Sequence, residues 1–297
     1  MLQYSNDKHN STSEALHAGL YVVSTPIGNL EDITIRALKI LNNVDIIICE
    51  DSRVTAKLLN HYEIKDKKLI IYNDHAKIET HLQILNYVNN GKALALVSDA
   101  GTPLISDPGF KLLRFLQENS VKITPIGGIS AITTAVSVSS LACDNFLFLG
   151  FLPPSKISAL NFLKTLPQNY SLVFFESPHR IIDCLDNFMI VFADRKIALM
   201  RELTKFYEEI IVDEPSKIKE ILLNHPEKIR GEFVLVVEKL DKKNENIDWE
   251  AIDELIAKNL ATGLSIRDIA DAISQSFNLN RKIIYQRIIN NSNSINE

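Results

Sequence analysis

From Gly19 onward, short runs of β-branched and apolar residues alternate with longer stretches whose apolar positions recur every three or four residues. Residues 20–24 (LYVVS), 44–49 (VDIIIC), 68–72 (KLIIY) and 93–98 (ALALVS) are near-continuous apolar runs, the pattern of strands buried on both faces in a parallel sheet. Helical periodicity over 33–42, 53–60 and 77–90, the last ending at Gly91, places helices between them. A fifth strand, 121–126, runs into Gly127-Gly128 and then a helix from Ser130. This strand-helix-strand order predicts an open α/β layer architecture.

Beyond residue 126 the pattern changes. Residues 146–152, 172–176 and 196–200 read as strands, with Phe146, Phe148 and Phe151 as strand core. Residues 206–212 and 232–238 are apolar runs without long helices of their own, which points to antiparallel pairing in a mixed sheet. A boundary near 124–128 divides an N-terminal α/β domain, 19–126, from a second one, 127–238. The polar residues 1–18 read as a disordered lead-in and the charged 239–246 (KLDKKNEN) as a linker. After it come a helix over 249–260, a second capped by Ser265 and a third capped by Asn280. Together they predict a small all-α, helix-turn-helix-like module over 247–291.

Composition adds exclusions. A hydrophobic share of 46% and a charged share of 23% over 297 residues are those of an ordinary globular protein. No run approaches the roughly 18 consecutive apolar residues of a membrane helix, and the N-terminus lacks the apolar core of a signal peptide. The expectation is a cytoplasmic protein with no membrane partner. Cys49, Cys143 and Cys184 show no CxxC and no zinc spacing, so a reducing compartment and no metal are expected. The net charge of −5 means that any nucleic-acid partner must be met by a local basic patch.

Glycine and proline turns gather at the carboxyl ends of the predicted strands: TPIGN at 25–29, DAGTP at 99–103 and GGIS at 127–130. In open α/β sheets that edge is where ligands bind. Neither GxxxxGK[ST] nor a GxGxxG after the first strand is present, which removes nucleoside-diphosphate and dinucleotide sites. Glu50, Asp51, Glu176, His179 and Glu202 lie at or just past strand ends as candidate proton acceptors. His179 follows Pro178 at a helix start, where a capping role is equally open. Arg53, Arg180 and Arg201 beside these groups are either phosphate ligands or ion-pair partners. The last helix carries a small basic face of Arg281, Lys282 and Arg287 with Tyr285, in a module that also holds Asp248, Glu250, Asp253 and Glu254.

STPIGNLEDITIRALK, CEDSRVTAKLL, SDAGTPLISDPG, GFLPPSK, FFESPHR and RELTKFYEE follow one another between Gly19 and Glu238. In this order they resemble the tetrapyrrole methylase superfamily, and within it the branch that acts on ribosomal RNA. The resemblance implies a homodimer of two-domain α/β subunits, a parallel-sheet N-domain and a mixed-sheet second domain, extended by the C-terminal helical module. It implies S-adenosylmethionine as methyl donor, without a metal, and 16S rRNA or the small ribosomal subunit as partner. The methyl acceptor it implies is the ribose 2′-hydroxyl of a decoding-centre cytidine.

Donor contacts carried over from the resemblance are Pro26, Ile27 and Gly28 in the first loop, and Asp99, Gly101, Thr102 and Ile105 in the fourth-strand loop. Ser130 and Ala131 at a helix start, with Phe175 and Gly231 in the second domain, complete the set. The sequence departs from the family at 126–130, where IGGIS stands for the common Pro-Gly-Pro-Ser turn and leaves that loop less preorganised. Ser52 stands for a usual threonine and keeps the hydroxyl. Catalytic candidates are Asp51, Glu176 and Glu202; RNA-contact candidates are Arg53, Arg180, Arg201, Arg281, Lys282 and Arg287. A corrinoid or porphyrin acceptor is the alternative within the fold, disfavoured by the STPIGN and SDAGTP loops and the helical module. A metabolite-sensing nucleic-acid-binding regulator is the alternative of another class, disfavoured by the acidic balance.

Overall fold

The computed structural model describes residues 16–240, 249–277, 279 and 281–293. Most of the expected lead-in, the linker from 241, Asp248 and the Asn280 cap lie outside the described residues. The chain falls into two compact units, Met1–Leu240 and Asp241–Glu297.

In the first unit, β1 (Gly19–Val23), β2 (Ile46–Cys49), β3 (Lys68–Ile71), β4 (Ala93–Leu96) and β5 (Ile123–Ile126) form a sheet in the order β3-β2-β4-β1-β5. Every pairing in it is parallel. The intervening helices are α1 (Ile35–Asn43), α2 (Ser52–His61), α3 (Ile78–Asn89) and α4 (Phe110–Glu118). Side chains alternate between the two faces as the pleat requires. Val23, Ile47, Cys49 and Ala95 pack with Leu41 and Leu58 on one side. Leu20, Ile48, Leu94 and Leu96 pack with Ile84, Leu112 and Leu116 on the other. The continuous apolar runs of β2 and β4 are thus buried on both faces, but β3 is not: Lys68 and Ile71 are exposed because an edge strand has a neighbour on one flank only.

The second sheet contains β6 (Phe146–Phe151), β7 (Ser171–Glu176), β8 (Ile197–Arg201), β9 (Glu209–Asp213) and β10 (Phe233–Val237), in the order β6-β7-β10-β8-β9. β6 and β7 pair in parallel and the remaining pairs are antiparallel, as the mixed-sheet expectation required. Helices α6 (Lys156–Lys164), α7 (Ile181–Val191) and α8 (Pro215–Asn224) cover one face, where Leu172, Phe174, Leu199 and Phe233 meet Leu163, Phe188 and Leu222. On the other face Val173, Ala198, Met200 and Val234 pack against α5 (Ala131–Val138) and against Ile27, from the loop after β1. That packing couples the two sheets.

Three local expectations change. Phe206 is not in a strand: it sits in a turn, 93% exposed, and β9 starts only at Glu209. The stretch before β10 does hold a helix, α8, short and started by a proline, burying Ile218 and Leu222 one turn apart. Phe146 and Phe151 are exposed rather than core because β6 is an edge strand, while Phe148 packs edge-on against Phe175 at 4.9 Å.

The second unit consists of α9 (Trp249–Ala261), α10 (Ile266–Phe277) and α11 (Arg281–Asn293) around Ile252, Ile256, Ile269, Ile273, Ile284 and Ile288. Ser265 caps α10, its Oγ accepting from the Asp268 N–H at 3.2 Å. No helix among the described residues is long and apolar enough to cross a membrane.

Candidate active site

At the carboxyl edge of the parallel sheet the loops after β1, β4 and β5 are fastened to one another. Thr25 N–H donates to the Gly101 carbonyl at 2.8 Å, and Gly101 N–H returns a bond to the Thr25 carbonyl at 3.0 Å. The Thr25 hydroxyl donates to the Ser98 carbonyl at 3.2 Å. The Ser24 and Thr102 hydroxyls lie 3.0 Å apart, and Thr102 Oγ1 also donates to the Ile129 carbonyl at 3.4 Å. Gly101 sits at φ +79°, a left-handed conformation that a side chain would strain, and a Cβ there would crowd Ile27 at 3.2 Å.

The first loop continues onto the second sheet. Ile27 is buried against Leu203, and Gly28 leaves the space that the next loop fills: a Cβ at Gly28 would stand 2.4 Å from Lys205 Cγ. Asn29 N–H donates to Thr204 Oγ1 at 3.0 Å. Lys205 Nζ is clamped between Glu202 Oε1 and Glu232 Oε2, each at 2.8 Å. A cavity of about 310 Å³ opens here, walled by the first loop, by Val54 and Lys57 of α2, by Asp99, and by Lys205 and Glu232. Its size falls in the range of small-ligand sites.

Carboxyl groups crowd the ends of β2 and β4. Burial, reinforced by Glu50 and Asp99, pushes Asp107 up to about 6 against an opposing hydrogen bond from Ser98. Burial and then Asp99, Asp74 and Asp51 raise Glu50. Asp51 goes the other way, to about 2, because Arg53 binds its carboxylate. Asp51 also caps α2, and its own N–H donates to Asp99 Oδ1 at 3.1 Å.

The residues expected to hold a methyl donor divide. Pro26, Ile27, Gly28 and Asp99 are cavity walls. Gly101 and Thr102 serve the loop ties instead. Ile105 is 39% exposed, and Ser130 begins α5 without a side-chain capping bond. Ala131 and Phe175 are partly buried in the cluster between α5 and the second sheet. Gly231, at φ +84°, lies against Glu202, where a Cβ would meet Oε1 at 2.3 Å.

Of the catalytic candidates, only Asp51 belongs to the carboxyl cluster. Glu176 pairs across the strands with Phe233, so it faces α6–α8, away from Ile27. There it is buried in an ion pair with Arg180 at 2.8 Å, and Arg180 also donates to the Leu152 carbonyl at 3.0 Å. Burial raises the Glu176 carboxyl, opposed by the Ser177 N–H and Arg180. Burial also works to raise Glu202, but Lys205, the Glu232 N–H and Arg201 together hold it below the usual carboxylate value.

Most of the candidate RNA-binding cations are held within the chain. Arg201 is buried, 3.6 Å from Glu209. Arg281 pairs with Asp271, and Arg287 pairs with Asp253 at 2.7 Å while lying over the Trp249 ring. Arg53 is paired as well, to Asp51 of the carboxyl cluster, but its side chain is exposed, and Lys282 is an exposed residue. Lys57, Lys205, Glu232 and Asp107 were not singled out by sequence; the repeated Ser-Asp of SDAGTPLISDPG is the one signal that marks Asp107.

Residues 19–221 match the family model described as Tetrapyrrole (Corrin/Porphyrin) Methylases. A protein of Rickettsia prowazekii named ribosomal RNA small subunit methyltransferase I is 42% identical over 250 residues, covering 83% of this chain and 88% of its own length. One of the same name from Pasteurella multocida is 37% identical over 270 residues, covering 90% and 95%. Uroporphyrin-III-C-methyltransferase from Thermus thermophilus has a similar fold, with a TM-score of 0.56 at 16% identity over 75% of this chain and 94% of that one. Its complex with S-adenyl homocysteine gives 0.52 at 15% identity, over 74% and 97%.

Two outcomes follow from this geometry. Gly28→Ala forces the Lys205 stem and Thr204 aside and is expected to cost about 1–3 kcal/mol in urea denaturation; an unchanged midpoint would show that the two loops are not in contact. Asp107, raised in the folded state, favours its neutral form there, so its contribution to stability is complete below about pH 4 and lost as pH rises through about 6. Asp107→Asn is neutral throughout. It should therefore gain on the wild type between pH 4 and 7.5, by about 1 kcal/mol once solvent screening is allowed for. An equal stability difference at both pH values would contradict the shift.

Proposed function

The chain belongs to the tetrapyrrole (corrin/porphyrin) methylase family, and from that premise we propose that it moves a methyl group from S-adenosylmethionine to the ribose 2′-hydroxyl of a decoding-centre cytidine in 16S rRNA. The observation that carries the acceptor is the 42% identity over 250 residues to a protein named for the small-subunit RNA. The convergence of three strand-end loops on one edge supports the chemistry.

The loops suit such a donor. Ile105 and Phe175, both partly exposed, offer apolar surface for an adenine, and the exposed Gly127-Gly128 backbone offers close polar approach. The Ser130 hydroxyl has no capping bond to give up. Asp99, Asp107 and Glu50 form a negative surround that favours a cation. When bound, S-adenosylmethionine supplies a methyl group on a positively charged sulfur.

The remaining work falls to the protein's own groups. Loops fixed by mutual hydrogen bonds hold the acceptor oxygen in line, a large contribution that a preorganised site makes to such a transfer. Lys57 in the cavity wall and Arg53 beside the carboxyl cluster meet phosphate. A proton acceptor works best with a pKa near the working pH, which suits Asp107 better than Asp51, held near 2 by Arg53. The proposal also includes the division into domains at 19–126 and 127–238 with an appended module at 247–291, a homodimer, action in the cytoplasm and no metal.

Purified protein incubated with labelled donor and undermethylated small subunits should place label in 16S rRNA. No label beside an active control enzyme would sink the proposal, and label on a porphyrin or corrinoid would move the acceptor. Calorimetry adds a check on the pocket: Asp99→Ala should weaken donor binding more than Arg281→Ala, and the reverse ranking would mean that the donor sits elsewhere.

A further inference from the structure

We propose that the turn over 202–208 is a base-stacking platform, on which Phe206 and Tyr207 receive an unpaired nucleobase of the RNA beside the cavity; this rests on the rRNA substrate proposed above. Phe206 is the most exposed large hydrophobic residue among those described, at 93%, and Tyr207 beside it is 55% exposed. A phenyl ring left in water adds nothing to folding through burial. Its position is nonetheless fixed by the backbone beneath it.

Glu202 and Thr204 both adopt left-handed backbone, at φ +53° and +66°, a conformation that side-chain-bearing residues hold only when their surroundings enforce it. The enforcement is visible. Thr204 N–H donates to Glu208 Oε2 at 2.6 Å, Thr204 Oγ1 accepts from Asn29, and Lys205 is clamped by Glu202 and Glu232. Glu208 N–H closes the turn on the Lys205 carbonyl at 3.0 Å. The rings are therefore carried by a rigid turn tied to the first loop.

Lys205 is a wall of the cavity, and Phe206 is the next residue, about 3.8 Å further along the chain. The Phe206 and Tyr207 rings stand perpendicular with centroids 5.0 Å apart. Arg230 lies 5.3 Å from the Tyr207 ring centre, so a cation stands beside the aromatic pair while Phe206 remains exposed. Lys57 adds positive charge along the same wall, while the charge of Lys205 is taken up by Glu202 and Glu232 and the Glu208 carboxylate is turned onto the turn's own backbone.

Aromatic rings interleaved with cations are what single-stranded RNA meets on proteins, with bases on the rings and phosphates on the cations. A second protein chain is the poorer fit. Protein interface centres share its aromatics and arginine but are depleted in lysine and glutamate, and Phe206 has Lys205 and Glu208 in its own turn. The chemistry gives the platform a task. A ribose is reached more easily when its nucleotide or a neighbour leaves the base stack, and a protein ring replaces the lost stacking.

The test uses full-length protein and small ribosomal subunits, with Phe206→Ala, Phe206→Leu and Phe206→Trp. For each, KM and kcat for methyl transfer, donor Kd by calorimetry and the sedimentation profile are measured. The alanine and leucine variants should raise KM for the subunit about tenfold or more, with kcat and donor Kd within about twofold of wild type. The tryptophan variant should keep the wild-type KM. An unchanged KM in the alanine variant, or full rescue by leucine, overturns stacking. A KM change that accompanies an altered sedimentation profile overturns it too, in favour of a contact between subunits. A wild type that labels no 16S rRNA defeats the function and the platform together, whereas an active wild type indifferent to Phe206 defeats the platform alone.

Discussion

Two backbone hydrogen bonds between Thr25 and Gly101, at 2.8 and 3.0 Å, hold the loops after β1 and β4 together beyond the end of the sheet. Each such bond contributes only about 1 kcal/mol net, but breaking either would leave buried polar groups unsatisfied, at a cost of about 1–3 kcal/mol. Thr25 is 2% exposed, so no water is at hand to replace them. Much else hangs on this bridge. It brings the left-handed Gly101 under Ile27, and Ile27 in turn is the residue that the first sheet inserts into the core of the second. Gly28 then admits Lys205, and Lys205 anchors the turn that presents Phe206.

The electrostatics of this edge divide in a way that fits a cationic donor and an anionic acceptor. Burial and the neighbouring Asp99 carboxylate make Glu50 and Asp107 resist ionisation at the ends of β2 and β4. Lys57, Lys205 and Arg230 lie along the cavity wall and the neighbouring turn. Under the proposed function the carboxyls face a positively charged sulfur and the basic groups face phosphate. A chain with a net charge of −5 meets RNA in this way through a small patch rather than a basic surface.

Much of the fold was legible in sequence, for reasons that also mark where legibility ends. The runs at β2 and β4 are apolar throughout because both faces are covered, and the glycine and proline turns gather at strand ends because the loops diverge there. The run at β3 looks the same as its neighbours, and only sheet order reveals it as an edge. Phe206 reads as part of a strand and Phe151 as strand core because hydrophobicity alone does not distinguish a ring that packs from one held out to solvent. The basic residues were the least legible. Arg287 finds Asp253 and Lys205 finds Glu232 across long stretches of chain, so local charge patterns do not single out either pair. Asp107 is hard to read locally because its distinction is an environment assembled from Ser98, Glu50 and Asp99.

The central claim is that the bridged loops are where the methyl donor binds. Amide hydrogen exchange of the intact protein, with and without saturating S-adenosylmethionine, addresses it directly. Added protection should concentrate at 99–107 and 127–131, at the edge secured by the Thr25–Gly101 bridge. Protection confined to α6–α8 or to α9–α11, with the bridged loops unchanged, would contradict the account.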